Sequence, residues 1–267
     1  MSKVYIGTSG FSYSHWKGVF YPEGLPQPKW FEYYCQYFKS VELNVSFYRL
    51  PKKEVFAGWR QRAGPPALNR SGTGPAGGFV FSIKGSRFIT HIKKLKDCQE
   101  SVKVFFEAAD SLRGRTSDEV RPPQGKNVVL WQLPPGLKAD SIRLESFLKI
   151  LPKDFRHAFE FRNKSWLAEE IYKLLKKYHT AIVFQDYPEW PISQEITADF
   201  VYLRFHGRTS LYSSCYTGKE LTGWAKKIKN WLDMGLDVYA YFNNDALGFA
   251  IPNARRLQEL ASQDVLL

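Results

Sequence analysis

Cysteine is scarce in this chain: three in 267 residues, Cys35, Cys98 and Cys215, far apart and without CxxC spacing. That excludes a disulfide framework or a zinc cluster built on paired thiols, and fits free thiols in a reducing cytoplasm. Long hydrophobic runs are absent too. No apolar stretch approaches the roughly 18 residues a membrane span requires, so no membrane partner is expected. A strand-like run at Val4–Ile6 begins almost at the N-terminus and leaves no room for a signal peptide. A cytoplasmic location follows as an expectation. Acidic residues are short in supply, 26 against 38 Lys and Arg, for a formal net charge of +12. Such an excess attracts small anions or nucleic acid from a distance. Part of it is accounted for more simply: Lys173, Lys176 and Lys177, and Lys226, Lys227 and Lys229, fall on helix-like segments as solvated faces.

Aromatics are abundant, at 16% of the chain, and 44% of residues are hydrophobic. That composition supports one domain with a sizeable core. Eight short apolar runs recur, and in several of them every second residue is polar or charged. Glu42, Asn44 and Ser46 alternate with Val41, Leu43 and Val45; Glu160 and Arg162 with Phe159 and Phe161; Tyr202, Arg204 and His206 with Val201, Leu203 and Phe205. A strand sends successive side chains to opposite faces, so each run carries one apolar and one chemically equipped face.

The periodicity predicts strands at 4–9, 41–47, 79–84, 128–133, 157–162, 181–186, 200–206 and 238–243. Helices are predicted near 29–38, 53–62, 101–112, 141–151, 167–178, 219–234 and 254–261, with an irregular connection after the sixth strand through Pro188 and Pro191. Eight strand-then-helix units in about 250 residues are the arithmetic of a single (β/α)8 TIM-type barrel spanning 1–267. An open doubly wound sheet is the alternative. Two Gly- and Pro-rich stretches, 64–78 and 114–125, interrupt the rhythm and are expected to be flexible loops. The first holds Gly72-x-Gly74-x-x-Gly77, but it follows a helix and precedes a strand. A dinucleotide fingerprint has the reverse context, and no cofactor is assigned.

Barrel enzymes carry their chemistry at the C-terminal strand ends and in the loops that follow. Here those positions hold Ser9 and Gly10; Glu42, Asn44, Ser46 and Tyr48; Lys84, Arg87 and His91; Gln132; Glu160, Arg162 and Trp166; Asp186; Arg204 and His206; and Tyr241, Asn243, Asn244 and Asp245. Glu42, Glu160, Asp186 and His206 are the candidate catalytic groups, because carboxylates and imidazole move protons near neutral pH. Asn44, Tyr48, Lys84, Arg87, His91, Gln132, Arg162, Trp166, Arg204, Tyr241, Asn243 and Asn244 are the candidate substrate-binding residues. Arg87, Arg162, Arg204 and Arg208 would suit a phosphate or carboxylate, while Trp16, Tyr48 and Trp166 would stack on a planar or sugar ring or simply pack loop on barrel. A buried ion-pair lattice is the plainer alternative. It is disfavoured because desolvating a charge costs about what pairing returns. Glu160, Asp186 and His206 would also make a carboxylate–carboxylate–imidazole metal set for manganese, zinc or iron, against which Arg162 and Arg204 compete for the carboxylates. His15, His157 and His179 are expected to be structural or exposed.

Gly7-Thr8-Ser9-Gly10 with Trp16 and Phe20-Tyr21-Pro22, Val41-Glu42-Leu43-Asn44 with Phe47-Tyr48, and Phe81-Ser82-Ile83-Lys84 with Thr90-His91 form an ordered series. Gln132-Leu133-Pro134-Pro135, Glu160-Phe161-Arg162 with Ser165-Trp166, Asp186, Leu203-Arg204-Phe205-His206-Gly207 and Tyr241-Phe242-Asn243-Asn244-Asp245 continue it. In this the chain resembles the DUF72 (YecE-like) family over nearly its whole length. It departs at Gly85-Ser86, where the family more often has a small residue and Pro, and at a lengthened 64–78. The resemblance implies a TIM-type barrel and no particular reaction. The combined expectation is a cytoplasmic enzyme, a hydrolase or isomerase, acting on a small anionic, sugar-like or phosphorylated ligand. The alternative is a nucleic-acid-binding or nucleic-acid-processing barrel that uses its basic surface.

Overall fold

A computed structural model describes residues 2–64, 78–113, 127–191, 195–208 and 210–262. Nearly all of 64–78 and all of 114–125, expected as flexible loops, lie outside the described residues. Strands β1 (Val4–Thr8), β2 (Ser40–Leu43), β3 (Val80–Lys84), β4 (Val128–Gln132), β5 (Arg156–Glu160), β6 (Ala181–Asp186), β7 (Phe200–Phe205) and β8 (Asp237–Phe242) alternate with helices. These are α1 (Trp30–Tyr37), α2 (Val45–Tyr48), α3 (Lys53–Arg62), α4 (Gln99–Ala109), α5 (Ser141–Lys149), α6 (Glu169–Lys177), α7 (Gly218–Asp233) and α8 (Ala250–Ser262). The eight strands are parallel and form a nearly closed barrel of the (β/α)8 TIM type. No helix follows β6 among the described residues, as the two prolines there predict.

By packing, the chain divides into Met1–Val41 with Ala181–Leu267, and Glu42–Thr180. In the first unit β1 pairs with β8, β8 with β7 and β7 with β6. Phe205 and Phe242 stack at 4.4 Å, and Trp224 of α7 meets the Phe205 ring edge-on at 5.1 Å. Each such side chain contributes about 1.5–3 kcal/mol by leaving water. The start of α7 is closed by a capping box: Thr217 and Glu220 each bond the other's backbone, satisfying two helix-end donors. Gly7 sits where a Cβ would come within 2.2 Å of the Ser40 carbonyl oxygen, so only glycine lets these backbones approach.

In the second unit β4 lies between β3 and β5, and Gln132 is in register with Glu160. Trp131 is fully buried, with its indole N–H toward His157 Nδ1 at 3.3 Å. Its ring lies against Gly85, where a Cβ would stand 2.4 Å from an aromatic carbon. That contact explains why a residue without a side chain follows β3.

Six predicted strands run past their observed ends, the second by four residues, the fifth by two, and the first, fourth, seventh and eighth by one. The second stops at Leu43, and 45–48 form a helical turn. The Phe47 amide bonds the Asn44 carbonyl at 3.1 Å, and the Ser46 hydroxyl donates to the Lys84 carbonyl at 2.6 Å. Asn44 and Ser46 therefore share no strand face with Glu42. Arg162 and His206 also lie beyond β5 and β7, in the loops that follow. The alternation itself does not divide inside from outside: all six residues of β7 are buried, because a barrel strand is covered on both faces.

Candidate functional site

In the second unit, Glu160 ends β5 with no exposed surface, and the Arg162 guanidinium pairs with it. The Gln132 amide donates to Glu160 Oε1 at 3.4 Å. Glu42 is likewise fully buried. After β3, the Lys84 ammonium lies 4.2 Å from the Phe47 ring centre, and His91 meets the same ring edge-on at 5.0 Å. His91 Nδ1 is 2.9 Å from the Thr90 hydroxyl. Burial first, then the charges of Lys84 and Arg87, hold the His91 imidazole below its ordinary pKa, so it is neutral at pH 7. Tyr48 and Arg87 point to solvent, Tyr48 with 80% of its surface exposed. Trp166 does not offer a ring to a ligand: it is fully buried, stacked on Phe161 at 4.9 Å, with its N–H on the Leu137 carbonyl at 2.7 Å. Of its two readings, packing is the one observed.

In the first unit, Asp186 ends β6 in a buried position. The Trp224 indole donates to its Oδ2 at 3.3 Å, and the Tyr216 hydroxyl bonds the same carboxyl. Burial outweighs these donors and raises the Asp186 pKa above the ordinary value. The Tyr216 oxygen also accepts the Gly207 amide at 3.1 Å. His206 is fully buried and its backbone amide bonds the Asp186 carbonyl at 3.0 Å. Its Nδ1 lies 3.1 Å from the Asn243 amide nitrogen. Tyr187 and Tyr212 flank the imidazole edge-on at 6.1 and 5.5 Å. Gly207 turns the chain at φ +92°, with the Ser210 carbonyl only 2.6 Å from any Cβ there.

Arg204 is 1% exposed and donates to the Ser9 hydroxyl at 3.2 Å. The Tyr241 hydroxyl is 2.5 Å from that of Ser40, which ties it into the barrel wall. Asn244 donates to the Ser214 carbonyl at 2.9 Å and to Asn253 Oδ1 at 2.8 Å. Its own Oδ1 is buried without a hydrogen-bond partner.

Sequence reasoning passed over two arrangements. Asp245 takes the Trp16 indole and His15 Nε2, each at 2.9 Å; His15 is exposed, as expected, and Asp245 is the partner the sequence did not indicate. The residues are 230 apart, and only the pairing of β1 with β8 brings their loops together. Barrel closure was the available signal. Trp224 and Tyr216, which hold Asp186, gave none, since Trp224 reads as helix core and Tyr216 lies in the loop before that helix. His157 is structural as expected: burial lowers its pKa to about 4, and Nε2 lies 2.9 Å from the Pro152 carbonyl oxygen. Among the described residues, no group of three or more His, Cys, Asp or Glu comes together to hold a metal ion.

The family model "Protein of unknown function DUF72" matches residues 5–266. The chain belongs to the DUF72 family. UPF0759 protein YunF of Bacillus subtilis is 23% identical over 96% of this chain and 94% of its own length. UPF0759 protein YecE of Escherichia coli K12 is 28% identical over 55% of this chain and 50% of its own. A crystal structure of a DUF72 family protein from Thermotoga maritima is 29% identical and superposes with a TM-score of 0.81, over 98% of this chain and all of the other. The DUF72 fold assignment thus agrees with the eight-stranded barrel. The helices in that set of residues also leave none long and apolar enough to cross a membrane among the described residues.

Proposed function

We propose that this DUF72 protein is a cytoplasmic, single-domain enzyme, a hydrolase or isomerase acting on a small anionic, sugar-like or phosphorylated substrate at the C-terminal ends of its barrel strands. One observation carries the reading. Seven Asp, Glu, Arg and His side chains are buried among the described residues, and six of them, Glu42, Glu160, Asp186, Arg204, His206 and Asp245, end a strand or follow one closely. Buried charge is costly and seldom kept for stability, whereas active sites require it to tune proton affinity.

Asp186 is the strongest candidate for a general acid, because burial raises its pKa while Trp224 and Tyr216 fix its orientation. His206 is the candidate partner, its ring oriented by the contact of Nδ1 with the Asn243 amide. Glu160 and Glu42 are the remaining candidate acid/base groups. Lys84, His91, Gln132, Arg162, Arg204, Asn44, Tyr241, Asn243 and Asn244 are the candidate substrate holders. Arg162, held by Glu160, would offer its remaining N–H groups to a substrate anion.

Thermal denaturation against a panel of sugar phosphates and small carboxylates tests the reading. A saturable rise in Tm for at least one member is expected, and turnover of that compound should fall about 100-fold or more in Asp186→Asn with binding retained. A panel without any shift at millimolar concentration, or a fully active Asp186→Asn, would refute it.

A further inference from the structure

The two segments after β2 and β3 form a surface with an unusual charge balance. Residues 43–53 contain Arg49, Lys52 and Lys53, and residues 84–96 contain Lys84, Arg87, Lys93, Lys94 and Lys96, with no Asp or Glu in either. Helix α2 and the π-helical turn Phe88–Ile92 carry most of the exposed apolar groups here. Tyr48 is 80% exposed, Ile92 59% and Phe88 47%. The segments are joined. Ser46 bonds the Lys84 carbonyl, Phe47 contacts both Lys84 and His91, and Leu50 and Phe88 line one groove of about 260 Å³ with Ile89, Val104 and Phe105. Glu100 is the acid at that groove.

We propose that this surface binds single-stranded nucleic acid, independently of the reaction proposed above. Exposed rings set among a local excess of cations match what such a strand presents, flat bases alternating with phosphates. Tyr48 and Phe88 take the bases, and Arg49, Arg87, Lys52 and Lys53 take the phosphates. An acidic peptide would satisfy the cations but leave the rings without a flat partner. A membrane surface is read by a helix that buries a continuous apolar face, and the single turns here, four and five residues long, present none.

The test is fluorescence anisotropy with a labelled oligothymidylate of about 20 nucleotides, long enough to cover such a groove. Poly-glutamate and vesicles of phosphatidylserine with phosphatidylcholine serve as competing probes. Four phosphate contacts on a single strand predict about a 50-fold loss of affinity between roughly 50 and 200 mM salt. Arg49→Gln with Arg87→Gln should lower the log–log salt slope by about 1.4. Tyr48→Ala with Phe88→Ala should weaken binding about tenfold or more with the slope unchanged. Because Phe88 is partly packed, the exposed arginine pair carries the decision. The α7 pair Lys226→Gln with Lys229→Gln, also exposed, should leave binding unaltered. No binding at the lower salt, an equal loss from the α7 pair, or equal affinity for poly-glutamate or vesicles through the same arginines would overturn the proposal.

Discussion

Replacing Arg162 by Gln takes a charged partner away from a buried carboxylate. Glu160 has no exposed surface, and the side chain of its partner is only 11% exposed. Water cannot readily take over the role of the guanidinium. Breaking a buried pair by removing one member costs about 3–5 kcal/mol, because the survivor remains charged and desolvated. At about 2.1 cal/mol/K of unfolding entropy per residue, a chain of this length loses roughly 5–9 °C of Tm. Gln132 stays at 3.4 Å but, as a neutral amide, compensates only in part. Scanning fluorimetry of the wild type, Arg162→Gln, Glu160→Gln and the double variant closes the cycle. The double variant buries two amides in place of two charges and should regain at least half of the Arg162→Gln loss. A loss below about 1 kcal/mol, or a double variant no better than Arg162→Gln, would show that the guanidinium is not what stabilises the buried Glu160 carboxylate.

Gly85→Ala pushes a Cβ to 2.4 Å from the Trp131 ring and should cost about 1–3 kcal/mol in urea unfolding; a neutral result would mean that the indole moves aside. Asp186 has a raised folded pKa, so between its ordinary and folded values the folded state holds more protons than the unfolded state. Its contribution is present at low pH and fades as pH rises above about 3.8. Asp186→Asn should therefore gain on the wild type as pH increases, and a flat difference in Tm would count against the buried-acid assignment. His157 has the opposite sign. Its folded pKa is lowered from 6.5 to about 4, so stability is lost as pH falls through that window, by roughly 3 kcal/mol. His157→Gln should flatten this acid limb in pH-dependent unfolding, and an unchanged limb would contradict the assignment.

The fold was legible because barrel strands announce themselves twice, by branched apolar residues and by breaks after them. α3 at Lys53–Arg62 and β6 at Ala181–Asp186 coincide with their predicted bounds. β2 was overextended because Val45 and Phe47 continue an alternation that the backbone abandons after Leu43, where a hydrogen bond to the Asn44 carbonyl forms a helical turn. The strand-end residues were legible for the same reason as the strands. Their partners were not. Asp186 depends on Trp224 and Tyr216, and Asp245 on His15 and Trp16, contacts set by closure and helix docking rather than by spacing. Trp166 shows the converse, since an aromatic after a strand end is equally at home under the loop.

The claim of a small-anion enzyme is tested most directly by exposing purified wild type and Asp186→Asn to a cellular metabolite extract, then following bound and free compounds by mass spectrometry. The account predicts one anionic metabolite that the wild type consumes and the variant retains without consuming. An extract unchanged by both proteins, with nothing anionic retained by either, would contradict it.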